Sequence, residues 1–236
     1  MAIPQPIYRL SSFLLASCLG LSLAAPSYAG ERIRWTPDSD RGNVGSTLSG
    51  GRRGQTAVSC NADADETQLA LMVPSDQSRL LTTNANPTLA WHVETAMPVS
   101  VTLHVADPDL ATPIYSQTLD LEKTATVSVT LPQGSSLSPN KRYRWTVFVS
   151  CPGGYETEIS ARSFIEYINR ESLDVNNLSS LEQASTYANQ GIWYDALAAL
   201  LAASSEGVTN ADTMVQTLLE QGQSLAEVTL AAVVHL

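Results

Sequence analysis

Apolar and polar positions change their period partway along this chain of 236 residues. Between residues 67 and 167 apolar side chains alternate with polar ones, and the runs are interrupted by Pro, Gly, Asn or Asp. That is the pattern of short antiparallel strands with one buried face. It predicts seven strands: Thr67–Val73, Thr88–Val93, Val99–Val105, Ile114–Leu119, Ala125–Leu131, Arg142–Ser150 and Glu156–Tyr167. In the sixth, Tyr143, Trp145, Val147 and Val149 share the inward face. From about residue 170 the period becomes helical, and helices are expected over Ser180–Asn189, Trp193–Ala203, Asn210–Glu220 and Leu225–Val234. Ser179 followed three residues later by Glu182 has the form of a capping box. The fold class is therefore α+β, an antiparallel β-sandwich followed by a small helical region.

Two local resemblances sharpen that outline. Leu137-Ser-Pro139 leading to Tyr143 and Trp145 resembles the corner before the sixth strand of fibronectin type III modules, where a tyrosine can hydrogen-bond to the chain upstream. The sandwich is accordingly expected to be of the fibronectin-III or immunoglobulin kind, with Trp91 in its core. The run Tyr187-x-x-x-Gly191-x-Trp193-x-Asp195-Ala196 resembles the turn between the two helices of a tetratricopeptide repeat. One such hairpin cannot bury its own apolar face. Trp193, Tyr194, Tyr187 and Leu197 must therefore cover either the sandwich or a partner chain, and they form a candidate interaction surface.

The first 29 residues have another character. Arg9 is the only charge before Glu31, an apolar run follows from Leu10 to Leu23, and Ser27 and Ala29 place small residues where a signal peptidase requires them. The apolar run is shorter than the ~20 residues of a spanning helix, so residues 1–29 are expected to be a secretory signal peptide cleaved after Ala29. No later segment is long enough to span a bilayer, and the mature chain is expected to be exported, periplasmic or extracellular. Export leaves Cys60 and Cys151, which an oxidising compartment would join as one disulfide. Closing that loop restrains the unfolded chain by at most about 4–5 kcal/mol. Residues 30–59 are rich in Gly, Ser and Arg and are expected to be a disordered linker, ahead of a β-sandwich domain over 60–168 and an α-helical region over 169–236.

Composition narrows the chemistry. Thirteen basic against twenty-three acidic residues give a net charge of −10, which argues against nucleic acid, whose affinity comes from neutralised phosphates. Residues 166–236 hold nine acids and only Arg170, a net of −8, so a partner on that side should be basic or neutral. His92, His104 and His235 form no metal-ligand spacing. Asn61-Ala-Asp63-Ala-Asp65-Glu66 begins like a calcium loop but fails at positions six and twelve. A looser calcium site could use Asp63, Asp65, Asp107 or Asp109. Glu156 and Glu158 share a strand face and could mimic the carboxylate pair of a glycosidase, although exposed acids on a strand are ordinarily solubility features. There is no Gly-x-Ser-x-Gly elbow, phosphate loop or dinucleotide fingerprint. No catalytic, cofactor-binding or metal residue is assigned, and no cofactor is expected.

The whole pattern resembles the bacterial family known as domain of unknown function 928. The residues that carry the likeness are Arg34-Trp-Thr-Pro37, Gly-Gly-Arg-Arg-Gly before Cys60, Leu69-Ala-Leu-Met-Val-Pro74 and Asn86-Pro-Thr-Leu-Ala-Trp91. Lys141-Arg-Tyr-Arg-Trp145 and Gly191-Ile-Trp-Tyr-Asp-Ala-Leu197 complete them. The resemblance implies architecture and export but no reaction. The expected function is an exported, non-enzymatic scaffold or protein-interaction protein, with another envelope or secreted protein as partner. The alternative is a glycan- or small-ligand-binding module using Tyr115, Tyr155 or Phe148; a hydrolase is the remaining reading.

Overall fold

The computed structural model describes residues 32–37, 55–58, 67–75, 79–151, 158–170, 173–222 and 233–235. They belong to a compact unit running from Arg32 to Leu236. Among the described residues ten strands form two sheets. The first sheet contains β1 (Gln55–Val58), β2 (Thr67–Leu71), β4 (Thr88–Glu94), β7 (Ala125–Thr130) and β10 (Val233–His235), in that spatial order. The second contains β3 (Leu81–Thr82), β9 (Glu158–Tyr167), β8 (Arg142–Ser150), β5 (Val99–Ala106) and β6 (Tyr115–Leu121). Pairing is antiparallel except at two edges, where β3 runs parallel to β9 and β10 parallel to β7.

The alternation along each strand explains the layering. On β4, Leu89, Trp91 and Val93 face Val129, Val127 and Ala125 of β7, and all six are buried. On β8, Tyr143, Trp145, Val147 and Val149 lie opposite Ile165, Ser163, Ala161 and Ile159 of β9. Apart from Ser163, these inward residues of both sheets belong to one hydrophobic cluster. Consecutive strands β4 and β5 fall in opposite sheets. At the corner before β8 the Ser138 amide donates to the Tyr143 hydroxyl oxygen at 3.0 Å, the backward bond that the Leu-x-Pro-x-x-x-Tyr spacing anticipated.

Three helices follow: α1 (Ser180–Asn189), α2 (Trp193–Ser205) and α3 (Ala211–Gln221). The capping box at Ser179 and Glu182 is formed in both directions. α1 and α2 end alike. Gly191 and Gly207 take φ of 73° and 72°, a left-handed conformation that glycine adopts without steric cost. Ile192 N–H then reaches back to Tyr187 O at 2.9 Å, and Val208 N–H to Ala203 O at 2.9 Å. This closure accounts for the glycine four residues after Tyr187 and four after Ala203, and the first of the two turns α2 back onto the sheets.

Three expectations are corrected. Residues 30–59 are not wholly a disordered linker. Ile33 is buried, Trp35 stands edge-on to Trp193 at 4.9 Å, and β1 pairs in register with β2. The Gly- and Arg-rich flanks concealed these short anchored stretches, because composition averages over a window. The sandwich also extends beyond 60–168, since β1 precedes it and β10 lies near the chain's end. The fourth helix is contradicted at Val233 and Val234, which are strand and pair with Thr126 and Val127. An apolar run of that length cannot be assigned by period alone. The residues 1–31, together with Cys60, lie outside the described residues; Cys151 is buried just beyond β8.

The seat of α2 yields a prediction. A Cβ added to Gly222 would stand 2.7 Å from the Trp193 ring and 3.3 Å from Pro74, while the backbone there, at φ −76°, suits any residue. Gly222→Ala should therefore destabilise the fold by about 1–3 kcal/mol through overpacking alone, read as a lower urea midpoint; a neutral or stabilising result would show that Trp193 has room to move.

Candidate functional site

The helix that begins Trp193-Tyr194-Asp195 drives three polar side chains into the sandwich. Trp193 Nε1 donates to Met72 O at 2.9 Å. Trp145 Nε1 donates to the Tyr194 hydroxyl at 2.7 Å, and that hydroxyl donates to Phe164 O at 2.8 Å. Asp195 accepts from the Thr82 hydroxyl at 2.6 Å, the Thr83 amide at 2.6 Å and the Thr83 hydroxyl at 2.5 Å. Burial pushes the Asp195 carboxyl above its ordinary range, and these donors partly offset it; burial likewise raises the Tyr194 phenol. Every partner in the set is a group of the sandwich itself, so these bonds seat the helix.

The sequence had placed a candidate interaction surface here. Trp193, Tyr194 and Leu197 are buried to 0%, 1% and 1% exposure, and Tyr187 is half-buried. Three of the four thus have no exposed face to offer a partner. Of the two occupants considered for the apolar helical face, the sheets cover it: α2 packs against β3 and β4.

The second sheet has the surface that remains open. Its outward positions include His104 and Ala106 on β5, Arg142, Arg144 and Phe148 on β8, and Arg162 and Phe164 on β9. Ala106, Arg144 and Phe164 stand side by side in one cross-strand row. Because Ala106 is small, that row leaves a depression. The loop from Asp107 to Pro113 walls it, giving a cleft of about 470 Å3 lined by Ala106, Pro108, Leu110, Arg142, Arg144 and Phe164 among others.

Ion pairs hold the wall in place. Lys141 Nζ lies 2.6 Å from Asp107 Oδ1 and 2.7 Å from Asp109 Oδ2, and Asp107 Oδ1 accepts the Asp109 amide at 2.9 Å. The Lys141 hydrogen bond holds the Asp107 carboxyl below its usual range, and the two carboxylates raise Lys141 in turn. Asp107 and Asp109 are thereby committed to a lysine, which answers the looser calcium reading at that loop; Asp63 and Asp65 lie outside the described residues. Glu166, opposite Arg142 in the register, binds Arg79 through hydrogen bonds of 3.1 and 2.9 Å. Arg142 and Arg144 are exposed, and among the described residues neither forms an ion pair with an acid. The Arg142 guanidinium lies 5.6 Å from the centre of the Phe164 ring, within cation–π range.

The other sequence candidates are not brought together. Tyr115 lies on the core side of β6 and donates to Gln117, whereas Phe148 lies on the open face, edge-on to His104 at 5.2 Å. Tyr155 and Glu156 lie outside the described residues, and Glu158 is exposed at the start of β9. His92 is 9% exposed, with Nδ1 2.9 Å from the Thr126 hydroxyl. Among the described residues no group of three or more His, Cys, Asp or Glu is placed to hold a metal ion. None of their helices is long and apolar enough to cross a membrane. The cleft itself escaped the sequence reading, because it depends on Ala106 and Phe164 being neighbours of Arg144 from strands 38 and 20 residues distant. The doublet Arg142-x-Arg144 on an outward face was the signal available.

Among the described residues these features define an α+β protein of two mostly antiparallel sheets and three helices, with a cleft on an open sheet face. Residues 48–232 match the family described as Domain of Unknown Function (DUF928), and the chain belongs to it. No curated protein is matched. Among solved structures, a computationally redesigned β-sandwich protein is similar at 18% identity over 36% of this chain and 87% of that one, with a TM-score of 0.25.

His92 supports a pH prediction. Burial lowers its pKa below the ordinary 6.5, against the opposing charge of Glu94. The fold favours the neutral ring, so its contribution is complete above the unfolded value and is lost as pH falls through the folded one. His92→Gln should lessen the drop in unfolding free energy between about pH 7 and 5, measured by urea titration. An identical drop in both proteins would show that His92 is not the group responsible.

Proposed function

We propose that this chain is an exported, non-enzymatic binding protein of the cell envelope, and that its working surface is the open face of the second sheet around Arg142, Arg144 and Phe164. The observation that carries the reading is the pair of exposed arginines without acid partners beside a preformed cleft, in a chain whose net charge is −10. Exposed cations beside apolar walls favour ligand binding over a scaffold role confined to the helices, since the helical apolar face is already occupied. A hydrolase is disfavoured: among the described residues the one carboxylate lining the cleft, Asp107, is held by Lys141, and no His, Ser or Cys lines it.

At the finer level of fold, the reading is a fibronectin-III or immunoglobulin-like sandwich carrying a tetratricopeptide-like hairpin. The split of β4 and β5 between sheets and the Ser138–Tyr143 bond support the first part. The glycine closures of α1 and α2 support the second.

The binding reading is tested by co-sedimentation of the full-length exported protein with its own envelope fraction. Arg142→Glu with Arg144→Glu should reduce capture by about tenfold or more at an unchanged urea midpoint. Equal capture of the two proteins, or capture of neither, overturns it.

Export and the Cys60–Cys151 bridge share one measurement. The intact mass of the unreduced exported protein should be that of residues 30–236 less two hydrogen atoms, with no thiol alkylated before reduction. Two alkylated thiols refute the bridge, and a retained leader refutes cleavage after Ala29.

A further inference from the structure

The cleft's chemistry also selects its ligand, an inference that rests on the binding reading above. We propose that the cleft takes a small organic carboxylate carried on a compact apolar ring body. Its volume of about 470 Å3 falls within the few hundred to about 1,000 Å3 typical of small-molecule sites. Its walls and floor are mainly hydrocarbon, from Ala106, Pro108, Leu110, Pro113 and Phe164. Leu110 is 55% exposed, so an apolar body entering the cleft would cover it and gain the corresponding burial.

Charge then decides between ligand classes. A wholly apolar ligand would strip water from Arg142 and Arg144 with nothing to replace it, which is unfavourable. A polyanion such as nucleic acid needs many cations along its path. This face offers Arg142, Arg144 and Arg162, while the molecule as a whole repels negative charge. One carboxylate on an apolar ring satisfies both constraints. The guanidinium is planar and presents its donors in a fork that matches a carboxylate in two parallel hydrogen bonds. Arg142 is steadied by the Phe164 ring, and Arg144, next to Ala106 and Phe164 in the same row, stands over the floor of the cleft. Lys141 pins the opposite wall through Asp107 and Asp109, so little has to be ordered when the ligand arrives.

The test uses 2-naphthoate and its neutral isostere 2-naphthamide, titrated calorimetrically into the full-length exported protein. The naphthoate should bind saturably at one site, and the amide about tenfold or more weaker. Arg144→Ala should weaken naphthoate by a similar factor. Ala106→Trp, which fills the cleft and leaves both arginines in place, should do likewise. Lys123→Ala, at an exposed bend past the opposite end of β6 from the cleft, should leave binding unchanged, and the urea midpoint of each variant identifies any that fails to fold. If both probes bind equally and Ala106→Trp abolishes both, the carboxylate assignment is overturned while the cleft remains the binding surface. If neither probe binds while Arg142→Glu with Arg144→Glu still lowers envelope capture, the ligand class alone is overturned. If Ala106→Trp leaves naphthoate binding unchanged, the cleft is not the site and both readings fall.

Discussion

The fold depends on the start of α2 being buried in the sheets. Trp193, Tyr194 and Asp195 are consecutive, so one helical turn aims them in different directions, and each finds a polar partner on a different part of the sandwich. An indole or a carboxylate is costly to bury without such a partner. Their hydrogen bonds therefore fix where the helix may sit more sharply than apolar packing could. The Tyr194 hydroxyl, accepting from Trp145 and donating to Phe164 O, joins the core of the sandwich to the strand that floors the cleft. Phe164 thus has its backbone held from one side of the sheet and its ring offered on the other.

Much of this architecture was legible in the chain because it follows local rules. All seven strands read from the alternation are present, and α1 begins and ends where its capping box and glycine place it. The failures have two causes. β1 pairs with its sequence neighbour β2 but follows a Gly- and Arg-rich stretch that hid it. β3 and β10 are short, and each exists because it pairs with a strand distant in sequence. Two or three residues carry no period. The same limit applied to function. Rings at 187, 193 and 194 drew attention because aromatic residues are often exposed at interfaces, yet here their area serves the interior. The cleft was invisible for the converse reason: what makes it is the absence of bulk at Ala106.

Charge is distributed in keeping with this division of labour. The helical end is acidic and turned inward on its apolar side, whereas five of the seven basic residues after residue 66 lie on or beside the open face of the second sheet: Arg79, Lys141, Arg142, Arg144 and Arg162. Two of them, Arg79 and Lys141, hold acids that would otherwise neutralise their neighbours. A local positive potential in an acidic protein is short-ranged under salt, so it selects ligands close at hand and does not gather polyanions from a distance.

The segment around Ile33 also meets the helices. Trp35 N–H donates to Gln221 Oε1 at 2.6 Å, Gln221 Nε2 donates to Ile33 O at 2.9 Å, and Thr36 N–H donates to Ala188 O at 3.1 Å. A chain is made from its N-terminus at a few residues each second. Ile33 and Trp35 are therefore synthesised early and wait for partners that come some 150 to 190 residues later. Contacts of such long sequence separation form slowly, and the indole of Trp145 has no Tyr194 until then. Folding of this molecule is accordingly a terminal event, completed only when nearly the whole polypeptide is available, and a prematurely ended chain keeps its first sheet unfinished and its aromatic core without polar partners.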